Sequence, residues 1–445
     1  MRRGDITAEE AEKALDDFLA RMQTSFEETR QSAPPAVVPI RSTPVVMLPP
    51  VDTGVARAVL DKVAGGLHTA PPGFSVHPKL AKVLEAHHHL YQGGQVDWSL
   101  AEALAFGSLL LEGVDVRLAG QDTRRGTFSQ RHSVLVDSQT GAEHVPLGSL
   151  ERVGDVAVGR FRVYDSLLSE YAALGFEYGY SVVHTEALVA WEAQFGDFGN
   201  GAQVVIDQFI TAAETKWGQT SGLVLLLPHG FEGQGPEHSS ARMERFLTLC
   251  AGDNLQVVNP TSAAQYFHVL RRQVHRVRRK PLVLLTPKSL LRAHSSRSPV
   301  QELVSGRFRE VLDDPGPGAG EVDREAVTRV VLASGKVALD AIAHRDRGGL
   351  PAAVVRVEQV YPWPGLLILD TLSRYPHATE VVWLQEEPEN MGGWSFVSGR
   401  LARLLPEGLT LRHVSRTESA SPASGSLTVH QHEQADLLER TFAGL

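Results

Sequence analysis

The chain has 445 residues, 42% apolar and 21% charged, and 43 basic against 52 acidic side chains leave it at −9. That length allows two or three ordinary domains, and the acidic balance argues against nucleic acid or an anionic membrane as the main partner. A single cysteine, Cys250, excludes a disulfide framework, and no apolar run of about 18 residues or secretory leader is visible, so a cytoplasmic protein with no membrane segment is expected.

Thr7 and Glu10 stand at capping-box spacing with Ile6 just ahead, and Ala11, Leu15, Phe18, Leu19, Met22 and Phe26 follow at helical intervals. The spacing predicts a helix whose apolar face must find a partner surface. Residues 32–53 carry six prolines, too many for a helix or a central strand, and predict an extended segment. Residues 55–115 read as mostly helical, with punctuation at Pro71-Pro72-Gly73. From about 116 short apolar runs alternate with helical stretches: 202–206, 222–228, 255–260 and 281–287. Such runs suit strands buried on both faces, hence a parallel sheet. The stretch DDPGPGAGEVD at 313–323 predicts a linker. Beyond it VTRVVLA, AAVVRVE, EVVWLQ and LTLRHV predict a second set of strands. The expected architecture is α/β. A helical and extended amino-terminal arm (1–95) precedes a parallel-sheet domain (96–312), the linker (313–323) and a second α/β domain (324–445).

Four clusters could carry chemistry. AGQDTRRGTFSQRH (119–132) is either a polar surface loop or a functional one. Glu170 reads as a carboxylate inside an apolar helix with Leu167, Leu168, Leu174 and Phe176 around it. Burial there would be costly without a partner, and the alternative is a surface glutamate. Phe195 and Phe198, three apart, are core or a cofactor shelf. PHGFEGQGPEHSSAR (228–242) directly follows an apolar strand, where open α/β sheets place ligands. It holds His229 and His238, either of which can move a proton. The run RRQVHRVRRK (271–280) reads as a solvated helix end, with a phosphate-bearing ligand as the alternative.

Taken together, GQDTRRGTFSQRH, SLLSEYAALGFEYGYSV, WEAQFGDFGNGAQVVIDQF, LLLPHGFEGQGPEHSSARMERFL and KPLVLLTPKSLLR resemble the decarboxylating first component of the 2-oxoglutarate dehydrogenase complex. VEQVYPWP, EVVWLQEEPENMGGW and SASPASGSLTVHQ resemble that family's carboxy-terminal domain. The resemblance implies a transketolase-like, thiamine-diphosphate-binding fold: an aminopyrimidine-binding domain plus the carboxy-terminal α/β domain. It places Glu170 on the cofactor-activating glutamate, Phe195 and Phe198 on the aromatic shelf, Gln121 in a loop reaching the cleft, and His238 over the reacting carbonyl. Glu170 and His238 are thus the expected catalytic residues, and Glu170, Phe195, Phe198 and Gln121 the expected cofactor contacts. The family's diphosphate motif, GDG or GDA followed by an asparagine about thirty residues on, does not occur in these residues. The resemblance therefore implies no metal ligand here, magnesium being expected from a partner half that binds the diphosphate. The implied activity is decarboxylation of 2-oxoglutarate with succinyl transfer to a lipoyl-bearing succinyltransferase component, in the tricarboxylic acid cycle, as a homodimer or an α2β2 assembly. Alternatives are a non-catalytic dimer-forming or regulatory remnant, or a half-subunit for a different 2-oxo acid.

Overall fold

A computed structural model describes residues 6–32, 49–152, 155–316, 318, 320 and 322–445. Most of the proline-rich stretch (33–48) and part of the 313–323 linker lie outside the described residues. The chain divides into two units, residues 1–44 and 45–445.

The first unit contributes helix α1, Ala8–Gln31, and the predicted capping box is formed. The Thr7 hydroxyl accepts the Glu10 N–H at 3.1 Å and the Glu10 carboxylate accepts the Thr7 N–H at 2.7 Å, satisfying two donors that a helix start leaves open. Leu15, Phe18, Leu19, Met22 and Phe26, which make up the apolar face predicted from the periodicity, are each more than half exposed.

In the second unit the expected helical region forms α2 (Arg57–Leu67), α3 (Pro78–Gln92) and α4 (Trp98–Leu111). α4 is apolar almost all round and buried over most of its length, as such a helix must be. The strands that follow are β1 (Val116–Gly120), β2 (Phe161–Asp165), β3 (Leu188–Glu192), β4 (Val224–Pro228), β5 (Gln256–Val258) and β6 (Leu282–Thr286). After them come β7 (Val311–Leu312), β8 (Arg329–Ala333), β9 (Ala352–Val357), β10 (Gln359–Tyr361), β11 (Glu380–Pro388) and β12 (Thr410–Arg416). One sheet has the order β10-β5-β6-β4-β3-β1-β2, parallel except for β10; the other has β7-β9-β8-β11-β12, parallel except for β7.

The continuous apolar runs have the predicted cause. In β4 and β6, Leu225, Leu227, Val283 and Leu285 face one core, while Val224, Leu226, Leu282 and Leu284 face another. Successive strand residues point to opposite faces, and both faces are covered. The first of these cores also takes Val330, Leu332, Val355 and Trp383 from the second sheet, so the two sheets share it. Each sheet also takes an antiparallel edge strand: β10 follows β9 but pairs with β5, and β7 pairs with β9.

One predicted strand is not a strand. Residues 202–206 belong to a helical stretch: Gly196–Ala202 (3-10), Gln203–Val205 (α) and Ile206–Ile210 (π). A short apolar run does not by itself separate strand from buried helix. The buried residues here, Ala202, Val205, Ile206, Ile210 and Ala213, recur at helical intervals. Among the described residues no helix is long and apolar enough to cross a membrane.

Candidate active site

Loops leaving the carboxyl ends of the parallel strands meet at one edge of the first sheet, where such folds place ligands. Gln121 follows β1, Glu170 follows β2, Phe195 and Phe198 follow β3, His238 lies in the loop after β4, and Lys288 follows β6.

Glu170 is not in the interior of an apolar helix, as its neighbours had suggested. It is the first residue of helix α5 (Glu170–Val183), whose start is capped by the Ser169 hydroxyl accepting the Ala172 N–H. Its side chain is partly buried. Leu174 is fully buried, whereas Leu167 is 74% and Leu168 82% exposed, with Tyr171 and Phe176 exposed as well. The chain on either side of Glu170 therefore exposes apolar side chains, while Phe176, further along the helix, lies against Arg117. Gln121 donates to Glu170 Oε1 at 2.8 Å. On the other side a Cβ at Gly201 would stand only 3.3 Å from Glu170 Oε2, so the backbone of the Gly196–Ala202 turn approaches the carboxylate closely.

The opposite end of that turn holds the aromatic group. The His238 ring stands edge-on to Phe195 (centroids 4.5 Å apart, 89°) and to Phe198 (5.9 Å, 86°). Phe128 adds a further edge contact to Phe195 at 5.3 Å. Neither His238 ring nitrogen is hydrogen-bonded among the described residues, and the ring is half-buried. Aromatic walls without a bonding partner leave an imidazole free to address a ligand.

Several charged groups beneath this surface were not singled out from the sequence. Lys288 is buried and donates to the His238 carbonyl at 2.5 Å. Burial draws its ammonium pKa down, opposed by Glu232, Glu386 and Asp197. Burial pushes the Asp197 carboxyl up, opposed by the Ser240 N–H that it accepts at 3.1 Å. Glu386 on β11 is also pushed up by burial, against the Lys336 ammonium 3.1 Å away. Adjacent carboxylates closing an apolar strand, as in VVWLQEEP, were the available signal for Glu386 and Glu387.

The 119–132 stretch is only partly a surface loop. Arg131 is enclosed between Glu102 of α4 and Glu192 of β3, at 2.5 and 2.6 Å. Tyr266 donates to Glu102 and Thr123 to Glu192. The basic run at 271–280 likewise departs from a solvated helix end. Arg271 bonds the Thr53 carbonyl, Ser108 and Glu112, and Arg272 bonds Glu310, Gln256 and Gln359, both from buried positions. The end of the run, Arg276–Lys280, lines a cavity of 550 Å³ with Glu186 and Glu214 at the amino-terminal edge of the sheet, away from the residues above.

Comparison with known proteins identifies the two α/β regions. Residues 94–294 match the transketolase pyrimidine-binding domain and residues 297–442 the 2-oxoglutarate dehydrogenase C-terminal domain. Curated relatives named "Multifunctional 2-oxoglutarate metabolism enzyme" from Mycobacterium sp. (strain JLS) and Mycobacterium sp. (strain KMS) are each 44% identical over 447 residues, covering 99% of this chain and 35% of theirs. The relative of that name from Mycolicibacterium vanbaalenii is 44% identical over 450 residues, 99% of this chain and 36% of its own length. The chain thus spans about a third of the length of the curated relatives it matches.

Proposed function

Because the chain belongs with the 2-oxoglutarate dehydrogenase-like thiamine enzymes and corresponds to their carboxy-terminal part, we propose that its carboxyl-edge residues form the pyrimidine side of a thiamine-diphosphate site. The observation that carries this reading is the single turn Gly196–Ala202, which abuts Glu170 at Gly201 and, with Phe195 just ahead of it, walls the His238 ring. A carboxylate and an unbonded imidazole joined by one aromatic-bearing turn fit a flat heterocycle with a reacting carbonyl beside it. When bound, the cofactor supplies a carbon nucleophile and an electron sink for decarboxylation.

Glu170 then shares a proton with a pyrimidine nitrogen, its other oxygen side steadied by Gln121. Phe195 and Phe198 wall the ring, and His238 donates to the substrate carbonyl oxygen as charge develops on it. Glu170 is only partly buried and its neighbours Leu167, Leu168 and Tyr171 are exposed, so in this reading a second protein surface covers it and makes the pocket dry. No group of three metal-ligating side chains occurs among the described residues. In this reading the diphosphate and magnesium are held by residues outside these 445, on another domain or polypeptide. The substrate is 2-oxoglutarate, with succinyl passed to a lipoyl carrier.

The test combines the chain with a polypeptide bearing the diphosphate-binding domain, thiamine diphosphate and magnesium, and measures carbon dioxide release from 2-oxoglutarate. Glu170→Ala should lower kcat at least about a hundredfold, the scale of a lost proton-transfer group. Calorimetry on the same mixtures should show cofactor binding only when both halves are present. Folding and association without cofactor binding would instead identify a non-catalytic subunit, and turnover with another 2-oxo acid would reassign the substrate.

A further inference from the structure

Four successive residues in the loop after β4 are gripped by their backbone. The His238 carbonyl accepts from Lys288, and the Ser239 and Ser240 N–H groups donate to Asp197 Oδ2 at 3.4 and 3.1 Å. The Ala241 N–H donates to His229 Nδ1 at 3.1 Å, and the Gly230 N–H closes the loop on the Ser239 carbonyl at 2.9 Å. Among the described residues the His238 ring makes no hydrogen bond, so its direction is set by the peptide units on either side of it together with the edges of Phe195 and Phe198.

His229 is buried, and its Nε2 faces Glu387 Oε1 at 3.0 Å. Glu387 comes from β11 of the other sheet, 158 residues further along the chain. With a carboxylate at Nε2 and a backbone N–H at Nδ1, one neutral tautomer satisfies both: hydrogen on Nε2, lone pair on Nδ1. A proton on Nδ1 would confront the Ala241 N–H. The groups acting on this ring are Glu387 and Glu386 from β11, Lys288 from the loop after β6, and Asp197 from the turn after β3. We propose that His229 and Glu387 are a positioning pair, in which a carboxylate of the carboxy-terminal sheet fixes the tautomer by which His229 holds the Ala241 N–H and thereby orients His238. The proposal rests on the reading of His238 given above, and it assigns the second sheet a part in the chemistry of the first.

The grip can be measured without turnover. In the full chain labelled with ¹⁵N-histidine, His229 should show a protected Nε2–H and an unprotonated Nδ1. Residue-resolved hydrogen exchange should show Ala241 opening about tenfold faster or more in Glu387→Gln than in Glu358→Gln. The latter is a control that neutralises a buried carboxylate bonded to Thr261, away from the loop. His229→Asn places an oxygen near the Nδ1 position and should keep Ala241 protected; His229→Gln, which reaches only the Nε2 position, should not. In the reconstituted complex, Glu387→Gln should lower kcat about tenfold with KM for the 2-oxo acid changed less than about twofold. Equal Ala241 exchange in Glu387→Gln and Glu358→Gln, or a proton found on Nδ1, overturns the pair. Faster exchange with unchanged kcat refutes its positioning role. Should the wild-type complex show no turnover at all, the functional reading fails, and with it any orienting role, while tautomer and exchange still judge the grip.

Discussion

Arg131 is the side chain on which most of the site's framework converges. Its guanidinium is held far above the usual range because Glu102 and Glu192 outweigh the burial that would lower it. Through Glu192 it fixes the end of β3, just ahead of Phe195, and through the Thr123 carbonyl and hydroxyl it fixes the loop that carries Gln121. All three members of this ion cluster are at least nine-tenths buried at the side chain. Removing the cation leaves two carboxylates facing each other with little water, which is costlier than the net worth of the intact pairs. Arg131→Met should therefore destabilise the chain by about 3–5 kcal/mol in urea denaturation. Adding Glu192→Gln to that variant should recover part of the loss, since one of the two stranded charges disappears. Native-like stability in Arg131→Met alone would mean that the carboxylates are hydrated or protonated in its absence. The sequence displayed Arg131 among polar neighbours but gave no hint of burial. Both carboxylate partners are remote, at 29 and 61 residues, and nothing local distinguishes an anchored arginine from a solvated one.

At the scale of elements, the helix Ala263–His275 ties the amino-terminal segment to the first sheet through His268. The His268 Nδ1 meets the Thr53 hydroxyl at 2.8 Å, and its Nε2 meets the Glu302 carbonyl at 2.9 Å. The carbonyl can only accept, so Nε2 carries the hydrogen and the neutral ring fills the site. Burial lowers the His268 pKa to about 4, opposed by the bond to the Glu302 carbonyl. A histidine whose folded pKa lies below its unfolded one contributes fully above the unfolded value, near 6.5, and loses that contribution as pH falls through the folded value. This group should accordingly cost about 3 kcal/mol of stability between pH 7 and pH 4. Chemical denaturation at the two pH values should show that slope in the wild type and a shallower one in His268→Gln. Equal slopes would mean that other groups dominate the acid limb. Element legibility followed the same division between local and distant causes. The strands at 224–228 and 282–286 were plain because all their residues but the closing Thr286 are apolar and all are buried. The run at 202–206 misled because four apolar residues in five fit a strand, and only the longer spacing through Ile210 and Ala213 reveals the helix. Edge strand β2, with exposed Tyr164 and Asp165, lacks such a run and was not singled out.

Over the whole of residues 45–445, the two sheets are joined by more than a linker. Val330, Leu332, Val355 and Trp383 of the second sheet share a core with Trp191, Leu225 and Val283 of the first. β10 leaves the second sheet to pair with β5, and β7, ahead of the proline- and glycine-rich stretch, pairs with β9. The start of that stretch is itself anchored, for the Asp314 side chain is buried against Arg345 at 2.6 Å. Composition showed 313–323 only as turn-forming residues, because strand exchange and buried ion pairs depend on partners dozens of residues away. The candidate site residues were proposed from motif order, whereas nothing local pointed to the His229–Glu387 contact that links the sheets. A shared core means that neither sheet can unfold without exposing the other's apolar face, and a single cooperative transition follows. Trp191 and Trp383 are buried on opposite sides of that core and can report on the sheets separately. In chains keeping only one or the other tryptophan, urea midpoints followed by fluorescence should coincide within about 0.2 M, well inside the spacing that independent domains would show. Two separated transitions would contradict the common core, and would also remove the physical basis for a carboxylate in one sheet steering a histidine in the other.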